Sequence, residues 1–169
     1  MRTAHIALGS NLGDRAAMLR GAIAALGGDP AVRVVAESAV YETAPVGGPE
    51  QPDYLNMVVA VETHLTPDEL LARCLAIEAA HGRERRERWG ARTLDLDLLW
   101  YEGAVRQTES LTLPHPRMAE RAFVLVPLAE VAPGLRLGTS SVAELAGLCE
   151  RGGLNRLGPL VEGLDGRAQ

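Results

Sequence analysis

Not one lysine occurs in the chain, so every basic side chain, 17 in all, is an arginine. That absence excludes two familiar ATP-binding schemes. A Walker A loop needs a lysine on the phosphates, and the protein-kinase signature needs a strand lysine that pairs phosphates and a helix glutamate. Cysteine is almost as scarce: Cys74 and Cys149 form neither a CxxC pair nor a zinc spacing, so no disulfide or zinc is required. Aromatic residues make up only 4%, with Phe123 the single phenylalanine. No apolar run has the length of a signal peptide or a bilayer span, and the expected location is the cytosol. The net charge of -5 and pI of about 5.4 give an overall field that repels nucleic acid and anionic membranes.

What is present suits one globular core. With 169 residues, 47% hydrophobic and 23% charged, the expectation is a single domain over 1–169. Residues 5–9 read as a buried strand, followed by the turn GSNLGD and a helix carrying Leu19, Ala22, Ile23 and Leu26 at helical spacing. GSNLGD reads as a strand-to-helix turn capped by Asn11 or Asp14, or as a phosphate-cradling turn at the helix N-terminus, and Gly27 and Gly28 end the helix. Residues 32–43 and 54–63 read as strands, joined by the Pro- and Gly-rich segment APVGGPEQPD. Thr66, Pro67, Asp68 and Glu69 form a capping box, and Leu70, Leu71, Cys74, Leu75 and Ile77 mark the apolar face of a second helix. TLDLDLLWY then alternates as a fourth strand. The order βαββαβ predicts an α+β, ferredoxin-like antiparallel sheet with helices on one face. A C-terminal extension follows from about residue 102, with a PHP turn, a short helix around 118–123 and a Gly-rich end.

In TLDLDLLWY the strand period of two places Asp95 and Asp97 on one face, about 6.5–7 Å apart at Cα, with Leu94, Leu96 and Leu98 on the other. Two such carboxylates suit hard magnesium, which also takes substrate phosphates and water; a solvated strand face or a general acid/base pair would carry the same pattern. The preceding segment holds Arg83, Arg85, Arg86, Arg88 and Arg92 around Trp89 and Gly90. Arginine forks match phosphate oxygens, so acids and arginines together point to a metal-nucleotide site. Glu78 sits at the edge of the second helix's apolar stripe, placed to orient an arginine or to accept from a nucleotide; a boundary charge at a helix end is the alternative. His115 lies between Pro114 and Pro116, on a turn that displays its ring. A ferredoxin-like sheet can also bind RNA through exposed aromatics, but this acidic chain lacks such a cluster.

Taken together, GSNLGD, Tyr41 with Thr43-Ala44-Pro45-Val46-Gly47, DYLN, RWGARTLDLDLL, LPHP and the Arg121-to-Leu128 segment resemble the 6-hydroxymethyl-7,8-dihydropterin pyrophosphokinase family over roughly residues 4–133. The resemblance implies an enzyme of folate biosynthesis that transfers pyrophosphate from ATP to the hydroxymethyl-dihydropterin, yielding AMP and the pterin diphosphate. It implies two Mg2+ ions on Asp95 and Asp97, and a nucleotide surrounded by Glu78, Arg83, Arg85, Arg92, His115 and Arg121, with Arg83 and Arg92 acting on the transferring group. It further implies a pterin between Trp89 and Phe123, in a pocket lined by Thr43, Pro45, Val46, Tyr54 and Asn56. Loops 44–53 and 82–92 are expected to close over both substrates. A monomer acting on small molecules, without nucleic acid or membrane, is expected. Ala91, where the family often has proline, and Pro116, where an aromatic can follow the histidine, depart from the pattern.

Overall fold

The structure is a computed structural model that describes residues 1–44, 53–81, 94–161 and 164. Strand β1 (Arg2–Ser10) leads into α1 (Arg15–Gly27), β2 (Val32–Glu37), β3 (Val40–Thr43), β4 (Tyr54–Thr63), α2 (Pro67–Ala80) and β5 (Asp95–Tyr101). With β2 and β3 counted as one broken strand, this is the expected βαββαβ order. The central strand β4 pairs antiparallel with β1 along its whole length, and β1 pairs antiparallel with β5. On its other side, β4 pairs with β2 through its C-terminal half and with β3 through its N-terminal half.

The single strand expected over 32–43 is therefore two strands, with the break at Ser38-Ala39. Side chains replace the interrupted ladder there. The Ser38 hydroxyl accepts from the backbone N–H of Val58 at 2.9 Å and donates to the carbonyl of Ala39 at 2.8 Å. The N–H of Ala39, which an unbroken ladder would have used, donates to Glu130 Oε1 at 2.7 Å.

Alternation along β1 and β4 sorts side chains onto two faces. Ala4, Ile6, Leu8, Leu55, Met57, Val59 and Val61 pack under α1 and α2 with Leu19, Ala22, Leu26, Leu70, Cys74 and Ile77. Leu94, Leu96 and Leu98 join this core, as the period of two predicts. Both helices carry the caps that the sequence announces. Asp14 accepts from Ala17 N–H at 3.0 Å, and Thr66 and Glu69 form the reciprocal capping box.

Helices also cover the opposite face, which differs from the one-sided expectation. The hairpin β6 (Arg106–Gln107) and β7 (Thr112–Leu113) and a 3-10 turn at Met118–Glu120 lead into α3 (Ala122–Val131). The hairpin β8 (Arg136–Leu137) and β9 (Ser140–Ser141) follows, then α4 (Val142–Leu148) and β10 (Leu154–Gly158). Val124, Leu125 and Leu128 of α3 and Val142 and Ala146 of α4 bury Val58, Tyr41 and Leu99 on this face. Strand β10 extends the sheet beyond β3. Among the described residues, no helix is long and apolar enough to cross a membrane.

Candidate active site

Asp95 and Asp97 lie on the α3 face of the sheet, because their register partners on β1 are Gly9 and Ala7. Helix α3 packs mainly over β4 and also touches β3 and β1, and a cavity lies between its first turn and this end of β1 and β5. Asp97 is exposed and Asp95 half-buried, while the leucines between and beyond them are buried. On the strand's outer edge, the N–H of Leu96 donates to Oε2 of Glu78 at 2.7 Å. Glu78 is itself 4% exposed, so a buried carboxylate of α2 holds the backbone that carries both aspartates.

Two cavities meet at this pair. The first, about 570 Å³, is lined by Gly9, Thr43, Tyr54, Asn56, Arg121 and Phe123 among others, together with Asp95 and Asp97. Its floor is ordered by a hydrogen bond from Asn56 Nδ2 to Thr43 Oγ1 at 2.9 Å, both residues being buried. Phe123 stands in the first turn of α3, and the Arg121 guanidinium carbon is 5.7 Å from the centre of its ring. The second cavity, about 350 Å³, is lined by Glu78, His115, Thr112 and the apolar Leu71, Leu75 and Leu111, again with Asp95 and Asp97. Leu75, expected in the core, is instead 48% exposed and forms part of this wall. An apolar wall on one side and the carboxylates on the other suit a ligand with a flat apolar part and a polar end that meets the carboxylates through a cation.

His115 is fixed from both directions. Its N–H donates to the carbonyl of Leu99 at 2.8 Å, and its Nδ1 accepts from the N–H of Arg117 at 3.1 Å. Burial lowers its pKa; Asp97 pulls the other way, and Arg121 and Arg117 add to the lowering. The ring is thus neutral at pH 7 with its proton on Nε2, a hydrogen-bond donor suited to an anionic oxygen.

Of the residues expected at the site, Thr43, Tyr54, Asn56, Phe123, Asp95 and Asp97 converge on the first cavity, and Glu78 and His115 on the second. Arg121, expected with the nucleotide group, lines the first cavity beside Phe123. Pro45, Val46, Arg83, Arg85, Trp89 and Arg92 lie outside the described residues, as do most of the two loops expected to close.

The chain matches 7,8-dihydro-6-hydroxymethylpterin-pyrophosphokinase over residues 5–133. The chain belongs to this pyrophosphokinase family. It is 52% identical over 157 residues to the 2-amino-4-hydroxy-6-hydroxymethyldihydropteridine pyrophosphokinase of Methylorubrum extorquens, covering 93% of this chain and 99% of that one. To the Bacillus subtilis protein of the same name it is 52% identical over 128 residues, 76% of this chain and 77% of the other. In fold it is similar to an HPPK-DHPS chain crystallised with substrates, with TM-score 0.68 and 11% identity. The match covers 87% of this chain and 45% of that one, so this chain spans less than half of that longer protein. The wild-type Plasmodium falciparum HPPK-DHPS with pteroate gives TM-score 0.69 at 13% identity, over 86% of this chain and 44% of the other.

In the first cavity, Gly9, the opening residue of GSNLGD, and Arg117 have placements that the sequence does not announce. A Cβ on Gly9 would lie 3.0 Å from Asn56 Oδ1 and 3.8 Å from the Tyr54 ring, so this glycine leaves room for the cavity floor. A glycine at the end of a strand is a signal of close approach. Arg117 also lines the first cavity, beside the histidine that its N–H orients. Its nearness to LPHP is the only cue the sequence offers.

Proposed function

We propose that this chain transfers pyrophosphate from ATP to 6-hydroxymethyl-7,8-dihydropterin, giving AMP and the pterin diphosphate, a step of folate biosynthesis. Membership of the family supports this reading, and one observation carries it at the level of geometry: a single carboxylate pair borders two separate cavities. A transfer between two substrates needs such a boundary, where the reacting ends meet.

We assign the first cavity to the pterin. Phe123 offers its ring face, and the buried Asn56 and Thr43 offer an amide and a hydroxyl to the polar edge of a flat heterocycle. The second cavity takes the nucleotide, its base against Leu71, Leu75 and Leu111 and its phosphates toward His115 Nε2–H. The hydroxymethyl oxygen, giving up its proton to solvent, bonds to the β-phosphorus as the bond to the α,β-bridging oxygen breaks, and AMP leaves with the electron pair of that bond. In this reading His115 supplies a donor and Arg121, from the first cavity, a positive charge against the charge that develops. Arg83 and Arg92 on the transferring group, Arg85 on the nucleotide, and Trp89, Pro45 and Val46 around the pterin belong to the proposal through the family resemblance.

The donor set at the boundary fits magnesium. Two adjacent carboxylates, with no cluster of three or more His, Cys, Asp or Glu ligands among the described residues, suit a hard cation that completes its sphere with phosphates and water. Asp95 and Asp97 would hold Mg2+, two ions in this reading, which supply charge neutralisation at the transferring group. Monomeric state, cytosolic residence and the lack of a nucleic-acid partner belong to the same proposal, the last on the net charge of -5. The test follows label from [β-32P]ATP in the presence of the pterin. The expected result is label in the pterin diphosphate and unlabelled AMP; label left in ADP or free phosphate would contradict the reaction.

A further inference from the structure

Arg15 follows the Asp14 cap at the start of α1, yet its side chain is only 3% exposed. A charge so enclosed is costly unless it is paired and hydrogen-bonded. Its Nη1 donates to Glu42 Oε2 at 2.7 Å and to the carbonyl oxygen of Asp53 at 3.1 Å. Glu42 lies on β3, two residues before Ala44, and Asp53 immediately precedes β4. One guanidinium therefore ties together the end of one strand and the beginning of the next.

Neither Arg15 nor Glu42 lines either cavity. The strand period explains their relation to the first one. Glu42 points toward α1, and Thr43 points to the opposite face, where it meets Asn56. Register sets Glu42 against Leu55 and Thr43 against Tyr54. The ion pair thus grips from behind the backbone whose front carries Thr43, Tyr54 and Asn56. Two apolar residues of matching volume would fill the same space, and buried ion pairs are often no more stabilising than such replacements. What an apolar pair cannot do is fix the Asp53 carbonyl against the β3 backbone at a set direction, as Nη1 of Arg15 does by donating to Glu42 and Asp53 at once.

We propose that Arg15 and Glu42 are a positioning pair that shapes the pterin subsite from the far side of the sheet, governing affinity for the flat acceptor and leaving the nucleotide cavity unchanged. This rests on the assignment of the first cavity to the pterin. Calorimetric titration of a non-hydrolysable ATP analogue, and then of the pterin with that analogue present, tests it in the double variant Arg15→Leu/Glu42→Leu, which leaves neither charge buried alone. The pterin dissociation constant is expected to rise on the order of tenfold, the scale of a small misplacement of binding groups, while that of the nucleotide stays within about twofold. Arg15→Lys, which keeps the charge but moves the donor off the position of Nη1 that reaches both Glu42 and Asp53, is expected to fall between wild type and the double variant, and it serves alone if the double variant does not fold. Unchanged pterin affinity in a folded variant, or equal loss of both ligands, overturns the proposal. A wild-type chain that binds the nucleotide analogue but not the pterin would instead overturn the assignment of the cavity.

Discussion

At Gly9, β1 lies opposite Asn56 of β4, and an added methyl would sit 3.0 Å from Asn56 Oδ1, a tight contact for a Cβ. Gly9→Ala must therefore displace the amide by a few tenths of an ångström. We expect the pterin KM to rise roughly three- to tenfold with the ATP KM unchanged, since each 1.4 kcal/mol of lost interaction is tenfold. Steady-state kinetics with each substrate varied in turn checks this, and an unchanged pterin KM would remove Asn56 from acceptor recognition. Asp95 and Asp97 were legible as a pair, whereas Gly9 was legible only as the opening residue of GSNLGD and not for the space that it leaves. A period of two within one strand puts the aspartates side by side with no outside information. The crowding at Gly9 comes from Asn56, brought opposite it by strand pairing. Arg15 is a similar case: GSNLGD announces the Asp14 cap, but nothing local says that the next side chain turns inward to Glu42 and Asp53.

Elements were legible where their signals are local. The Thr66-to-Glu69 box predicts the start of α2, and both of its hydrogen bonds form, at 2.9 and 3.2 Å. Thr66→Ala should cost about 1 kcal/mol of stability, the usual worth of such a cap, without altering turnover well below the melting temperature. Urea denaturation measures it; an unshifted midpoint would mean that packing of Leu70, Cys74 and Ile77 alone fixes the helix. The break between β2 and β3 was not legible, because the acceptor for Ala39 N–H is Glu130, on a helix that lies 91 residues further on. Burial pushes the Glu130 carboxyl up, but the hydrogen bonds from Tyr41, Ala39 and Arg156 outweigh it and hold its pKa below the usual value. The extent of α3 was missed for a local reason. Pro127 lies inside it, and an interior proline argues against a helix unless tertiary packing compensates, as the buried Val124, Leu125, Val126 and Leu128 do here.

For the whole molecule, the ferredoxin-like order was readable from element succession, whereas the layer that covers the second face was not. His5 on β1 is buried, at 4% exposure, with its ring centre 5.4 Å from that of Trp100 on β5. Burial lowers the His5 pKa from 6.5 to about 4. The unfolded chain binds a proton here below pH 6.5, and the folded chain does not until about pH 4. Stability contributed by the neutral ring is therefore complete above pH 6.5 and is lost as the pH falls toward 4, by ~3 kcal/mol at most. His5→Leu should flatten this part of the profile, which denaturation at several pH values between 7.5 and 4 measures. Parallel profiles for variant and wild type would show that acid sensitivity arises elsewhere.

The same two-faced sheet sets the central claim, that the carboxylates between the cavities make the site an enzyme. AMP release from ATP and the pterin, measured with saturating Mg2+ in wild type and in Asp97→Asn, tests it most directly. The substitution keeps the shape of an exposed side chain and removes its charge. We predict a fall in turnover on the order of 10²- to 10³-fold with the fold and melting temperature unchanged, the scale of losing a main electrostatic contributor. A folded Asp97→Asn protein that releases AMP at the wild-type rate would contradict the account.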